Sequence, residues 1–223
     1  MKKVGLFGGT FNPIHFGHLR PAEEIGEEFE LDPVLFIPSA APPHKKKEGI
    51  LPASLRLEMV RLATSDNPRF SASGVELDRP GKSYSIETIE HFRREFGPET
   101  LLYFILGLDA FLEIDTWKDY AGLFRLCHFV VMTRPGFEKK FSPEHLPVEL
   151  AGHFCYDTRQ MGYAHVSGFF VYPREITALD ISSTRIRESL ASGRSVRYLL
   201  PGSVEAFIRR NRLYTTKDVE SKV

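Results

Sequence analysis

What most constrains the fold of this 223-residue chain is the alternation of two periodicities along it. Short runs rich in apolar, β-branched and aromatic residues recur at 4–7, 34–37, 70–75, 101–106, 128–132 and 166–172, and each reads as a strand. Between several of them apolar residues return at helical spacing: Leu19, Ala22, Ile25 and Phe29; then Leu55, Met59, Val60 and Ala63; then Ile86, Ile89, Phe92 and Phe96. Strands alternating with helices build βαβ units, and their right-handed crossovers lay helices on both faces of a parallel sheet. The expected class is α/β, doubly wound.

At roughly 150 residues per domain the length favours one domain, expected over 1–214 with a small helical C-terminal part at about 181–214. There, 181–193 reads as a helix entered through Ser182, Ser183 and Thr184, which can all cap, and left at Gly193. A last helix is expected over 201–212, with Val204, Phe207 and Ile208 on one face. The stretch 135–165 scatters Pro, Gly, His and charge without period, so irregular structure laid over the sheet is expected. The polar tail 215–223 is expected to fray.

Lys and Arg number 29 and so do Asp and Glu, so the formal net charge is zero. That balance argues against a nonspecific nucleic-acid or anionic-membrane partner, which calls for a basic excess. No run approaches 18 apolar residues, and the charged start at Lys2 and Lys3 is followed by an apolar stretch that ends by Gly8, too short for a signal peptide. Cys127 and Cys155 form no CxxC pair, which points to a reducing compartment, by default the cytoplasm.

The strongest local signal is Gly8-Gly9-Thr10-Phe11-Asn12-Pro13-Ile14-His15-Phe16-Gly17-His18, between the first strand and the first helix. In an open parallel sheet that junction lies at the carboxyl edge, where ligands bind. Small residues let a phosphate approach backbone N–H groups, and the helix start adds partial positive charge. His15 and His18 can both face such an anion, which would favour their protonated, donating forms. The plainer alternative is a tight turn with ordinary surface histidines. A metal site from the HxxH spacing lacks a third ligand in the sequence.

Two familiar phosphate motifs are absent. No GxGxxG follows the first strand, and Pro80-Gly81-Lys82-Ser83 lacks the P-loop's leading glycine because position 76 is Glu76. The second signal is Ile181-Ser182-Ser183-Thr184-Arg185-Ile186-Arg187, where two arginines open a helix against its macrodipole. A polyphosphate docking there would explain them, with Ser183 and Thr184 donating hydroxyls and Arg187 gripping two oxygens. The alternative is a capped surface helix with solvated arginines.

Together, Gly9 to His18 and Ile181 to Arg187 resemble the paired signature of the HxGH-type nucleotidyltransferases. Pro42-Pro43-His44-Lys45, Glu76-Leu77-Asp78-Arg79 running to Ser83-Tyr84-Ser85, Gly107-Leu108-Asp109, Thr116-Trp117 and Tyr198-Leu199-Leu200-Pro201 make the chain similar, more closely, to the bacterial nicotinate-nucleotide adenylyltransferases. That resemblance implies a Rossmann-like fold and transfer of the adenylyl group of ATP to nicotinate mononucleotide, in NAD biosynthesis. It implies that Gly8, Gly9, Thr10, Phe11, His15 and His18 hold the ATP phosphates and that Ser183, Thr184 and Arg187 close over them, with His15, His18 and Arg187 catalytic. Gly107 and Asp109 would lie near ribose and phosphate. Trp117 would stack on the pyridine ring, Tyr84 and Ser85 would meet the nicotinate carboxylate, and His44 and Lys45 would join the substrate side. Asn12 stands where the family often has aspartate, and Leu108 where a small residue is common.

Residue type alone leaves Trp117 open between core and ligand, and leaves His44 to Lys47 open between a solvated basic loop and a binding loop. The implied reaction joins two anions by attack of a 5′-phosphate on the α-phosphorus of ATP, so fixed cations and N–H donors should carry it without a protein nucleophile. Mg²⁺ would arrive on the ATP phosphates with no dedicated protein ligands. Rival readings are another acceptor on the same fold (nicotinamide mononucleotide, a pantetheine phosphate, or a sugar or alcohol phosphate) and a nucleotide-sensing module without turnover. The sequence leaves a homo-oligomer open.

Overall fold

The computed structural model describes residues 1–41, 49–79, 81–133 and 141–215. In chain order the elements are β1 (Lys3–Gly9), α1 (Phe16–Glu28), β2 (Val34–Pro38), α2 (Ala53–Thr64), β3 (Phe70–Ala72), α3 (Ser85–Phe96), β4 (Leu101–Gly107), α4 (Leu108–Phe111), α5 (Tyr120–Leu123), β5 (His128–Thr133), β6 (Phe154–Asp157), β7 (Gly162–His165), β8 (Phe170–Glu175), α6 (Ser183–Ala191) and α7 (Gly202–Arg210). The strands form one sheet in the order β3-β2-β1-β4-β5-β8-β7-β6. Its first five follow the doubly wound, Rossmann-like order, which reverses between β1 and β4 and so marks the carboxyl ends of those strands as the place for a ligand.

The chain divides into two compact units interleaved in sequence, one of Met1–Gly8, Pro21–Leu35 and Tyr84–Ala178, the other of Gly9–Arg20, Phe36–Ser83 and Leu179 onward. Three of the five divisions fall inside elements, namely β1, α1 and β2. In the first unit β1, β4, β5 and β8 run parallel, with Leu6 beside Phe104, Phe104 beside Phe129 and Phe129 beside Val171. Val4, Leu6, Leu102, Ile105, Phe129, Val130 and Val131 are fully buried, as continuous apolar strands covered on two faces should be. Ile86, Ile89 and Phe92 of α3 are buried, and the helix ends at Gly97, whose φ of 80° suits glycine.

Two expectations change. The stretch 135–165 is not simply irregular: beyond 3-10 turns at Pro143–His145 and Val148–His153, it forms the antiparallel pair β6 and β7. The strand expected over 166–172 starts only at Phe170, because a turn at Ser167 and Gly168, with φ 91° at the glycine, reverses the chain from β7 into β8. In the second unit Arg56 replaces Leu55 at the head of the buried stripe of α2, with Met59, Val60 and Ala63. The late helices sit within 181–193 and 201–212 as expected, with Val204 and Ile208 buried. Residues 216–223 lie outside the described residues.

Candidate active site

β1 ends at Gly9 and α1 begins at Phe16, so the glycine-rich motif is the loop between them. Phe11 adopts φ 46°, left-handed and uncommon for a side chain, and is 2% exposed. Its ring lies 5.9 Å from Phe36 and edge-on to His18 at 5.1 Å. A Cβ on Gly9 would come within 2.8 Å of that ring, so Gly9 is required by the close approach. The Phe11 side chain is thus a wedge, leaving only its backbone to face a ligand.

His15 is the residue before α1, and its carbonyl accepts the N–H of His18 at 2.8 Å and of Leu19 at 3.2 Å. Its own N–H donates to Nδ1 of His18 at 3.3 Å. This is the returning half of a capping box, with imidazole in the place of Glu or Gln at the third helical position. The two rings lie 3.8 Å apart between centroids, tilted by 30°. Because Nδ1 of His18 accepts, the neutral ring carries its proton on Nε2 and donates from there. Gly17 is fixed as well, since a Cβ there would sit 3.0 Å from the His15 ring and 3.2 Å from the Ile181 carbonyl.

The late motif opens α6. Ser182 caps it by accepting the Arg185 N–H at 3.2 Å. Ser183 Oγ donates to the Pro13 carbonyl at 2.8 Å, and Arg187 Nη1 donates to the Asn12 carbonyl at 2.8 Å while Nη2 reaches Thr184 Oγ1 at 3.2 Å. Residues some 170 positions apart are therefore tied into one loop. Arg185 instead pairs with Asp180 at the surface, a contact worth little. Tyr198-Leu199-Leu200-Pro201 contributes its Leu199 carbonyl, which accepts the Phe16 N–H at 3.1 Å.

Asn12 and Arg56 belong to the same network. Asn12, 5% exposed, donates from Nδ2 to the Gly49 carbonyl at 2.8 Å, and its Oδ1 accepts Leu51 N–H at 3.3 Å and the Tyr214 hydroxyl at 2.8 Å. Arg56, 1% exposed, donates to the carbonyls of Leu51, Thr10 and Ser39 at 2.9, 2.7 and 2.7 Å. Sequence reasoning passed over Arg56; its signal was a cation three, four and seven residues before the apolar Met59, Val60 and Ala63 on one helix face. Ser83 is a clasp, accepting the Ala40 and Ala41 N–H groups on Oγ at 2.9 and 3.1 Å, which fits its reading as a P-loop decoy.

In the first unit a Cβ on Gly107 would collide with Oδ1 of Asp109, which lies exposed in the first turn of α4. A Cβ on Gly8 would meet Phe104 at 3.7 Å. Trp117 is half-buried, touching Phe104 edge-on at 6.2 Å, and so is not a core residue. Its neighbour Lys118 lies 4.7 Å over the Tyr84 ring, bringing Tyr84, Ser85 and the 117–118 segment together. Tyr84 and Ser85 start α3, whose first N–H groups have no carbonyl within the helix to bond. His44 and Lys45 lie outside the described residues. Among the described residues no helix is long and apolar enough to cross a membrane.

The cytidylyltransferase-like family matches residues 6–189. A relative from Citrifermentans bemidjiense, named "Probable nicotinate-nucleotide adenylyltransferase", is 49% identical over 212 residues, covering 95% of this chain and 98% of its own. One of the same name from Geobacter sulfurreducens is also 49% identical with the same coverage. The solved structure of Plasmodium falciparum nicotinic acid mononucleotide adenylyltransferase complexed with NaAD is similar in fold, with TM-score 0.72 over 96% of this chain and 98% of that one, at 17% identity.

Proposed function

The chain belongs to the nicotinate-nucleotide adenylyltransferases, within the cytidylyltransferase-like family, and on that premise we propose that His15, His18 and Arg187 carry its adenylyl transfer. The enzyme moves the adenylyl group of ATP to nicotinate mononucleotide, giving nicotinate adenine dinucleotide and pyrophosphate in NAD biosynthesis. The observation that carries the site assignment is the joining of the two motifs, where Arg187 and Ser183 bond the Asn12 and Pro13 carbonyls.

A 5′-phosphate oxygen of the mononucleotide attacks the α-phosphorus as the bond to pyrophosphate breaks, and negative charge grows on the leaving oxygens. Nε2–H of His18 donates to that charge and the planar fork of Arg187 holds two oxygens; donors fixed before the reaction stabilise it most. Gly8 to Phe11 contribute backbone N–H groups, and Thr184 a hydroxyl. Gly107 and Asp109 take the ribose side. Trp117 stacks on the pyridine ring while the first N–H groups of α3, at Ser85, meet the carboxylate, so acid is preferred over amide; His44 and Lys45 complete the substrate side. No three His, Cys, Asp or Glu side chains converge among the described residues, so phosphate oxygens and water are the fitting donors for a hard cation. Mg²⁺ on ATP would neutralise phosphate charge.

We read 1–214 as one domain, since three of the five unit divisions fall inside β1, α1 and β2. Two free thiols, Cys127 and Cys155, suit a reducing cytoplasm. The test is incubation with ATP, Mg²⁺ and, separately, nicotinate mononucleotide, nicotinamide mononucleotide and phosphopantetheine, with mass identification of the product. Nicotinate adenine dinucleotide should dominate. Equal efficiency with the amide would overturn the acid preference, and no pyrophosphate with any acceptor would leave a binding module.

A further inference from the structure

Arg56 is a buried cation whose three hydrogen bonds all go to backbone carbonyls, on three different segments. Burial lowers its pKa, opposed by Tyr214 and by the buried Glu76; a guanidinium nevertheless stays charged. Placing such a group in the interior is costly, and an apolar side chain of similar size would often serve stability as well or better. What an apolar residue cannot do is fix peptide planes.

The carbonyl and N–H of a trans peptide point to opposite sides. Nη1 of Arg56 on the Thr10 carbonyl therefore sets the plane of the Thr10–Phe11 peptide. The preceding peptide is held too, because the Gly9 carbonyl accepts the Ser39 N–H at 2.9 Å and the Ser39 carbonyl accepts Nη2 of Arg56. Two successive peptides of the phosphate loop thus have their carbonyls anchored and their N–H groups turned the other way. The third bond reaches further. Leu51 gives its carbonyl to Nε of Arg56 and its N–H to Oδ1 of Asn12, and the carbonyl of Asn12 receives Arg187.

We propose that Arg56 is a positioning residue for adenylyl transfer, its fork orienting the loop peptides at Thr10 and, through Leu51 and Asn12, the seat of Arg187. The proposal rests on the adenylyltransferase reading. It requires the fork shape, since an ammonium offers no planar three-way grip.

Arg56→Lys and Arg56→Ala should be compared with wild type at a temperature where all are folded, with turnover normalised to folded protein. Arg56→Lys should lose on the order of 10²-fold in turnover, the scale of a misplaced reacting geometry, while the Michaelis constant for the mononucleotide stays near the wild-type value. Millimolar methylguanidinium should restore part of the turnover of Arg56→Ala and do nothing for wild type. Wild-type turnover per folded molecule in Arg56→Lys, or absence of rescue in Arg56→Ala, would overturn the proposal. If wild type itself releases no pyrophosphate, the reading of function fails. Orientation of the loop is then decided by calorimetric ATP binding, which Arg56→Lys should weaken and which, if unchanged, refutes the role.

Discussion

The backbone N–H of His15 donates to Nδ1 of His18, so the second histidine of the motif caps the helix with one nitrogen and is left to donate with the other. Capping and chemistry are divided between the two ring nitrogens. The glycine between them suits the same arrangement, since a Cβ there would press on the His15 ring at 3.0 Å.

His18→Ala removes both jobs and His18→Asn only one, because the Asn Oδ1 can take the place of Nδ1. Both variants should lose about 10²- to 10³-fold in turnover, as when a single fixed donor to developing charge is deleted. Only His18→Ala should also lose stability, by about 1 kcal/mol from the lost cap. Turnover and melting curves check this; wild-type turnover in His18→Asn would mean the ring acts only as a cap.

Arg187→Lys keeps the charge but cannot bond the Asn12 carbonyl and Thr184 Oγ1 from one planar group. ATP should saturate it at clearly higher concentration, and Thr184→Val should add to the defect. Initial-rate titrations with ATP check this, and normal saturation in both variants would remove the late helix from the polyphosphate site.

Trp117 is the only tryptophan and is half-buried. Trp117→Ala should raise the Michaelis constant for the mononucleotide about 5- to 150-fold, given stacking worth about 1 to 3 kcal/mol, and leave that for ATP nearly unchanged. Trp117→Phe should recover part of the loss. Intrinsic fluorescence should respond to the mononucleotide; a silent signal with both affinities reduced in parallel would contradict stacking.

His128 is buried on β5, stacks on Tyr103 at 4.8 Å, and accepts the Phe170 N–H on Nδ1. Burial, then the charge of Arg93, lowers its pKa from 6.5 to about 4. The folded state therefore binds this proton more weakly than the unfolded state, so stability is full above pH 6.5 and falls as pH drops toward 4. The loss amounts to about 3 kcal/mol. His165 shifts in the same direction through burial, then His153 and Arg125. Melting temperature against pH should show the decline, and His128→Asn should flatten it to the part due to His165.

The two motifs were legible in sequence because each carries its local cause: glycines at a strand end, hydroxyls and arginines at a helix start. Arg56 was not, since a single arginine between Leu55 and Leu57 looks like a surface residue until the carbonyls of Thr10 and Ser39 join that of nearby Leu51 around it. The role of Asn12 was hidden for the same reason, its partners Gly49, Leu51 and Tyr214 being remote in the chain. The β6–β7 pair was missed because each strand is only four residues long, Gly162 opens β7, and the turn at Gly168 splits an apparently continuous apolar run.

The Tyr214 hydroxyl bonds Asn12 across 202 positions. During synthesis the phosphate loop leaves the ribosome some 200 residues ahead of Tyr214, and it acquires this partner only after Tyr214 has emerged. A nascent chain halted before that point would carry both histidines and the α6 arginines but a loop with one anchor missing.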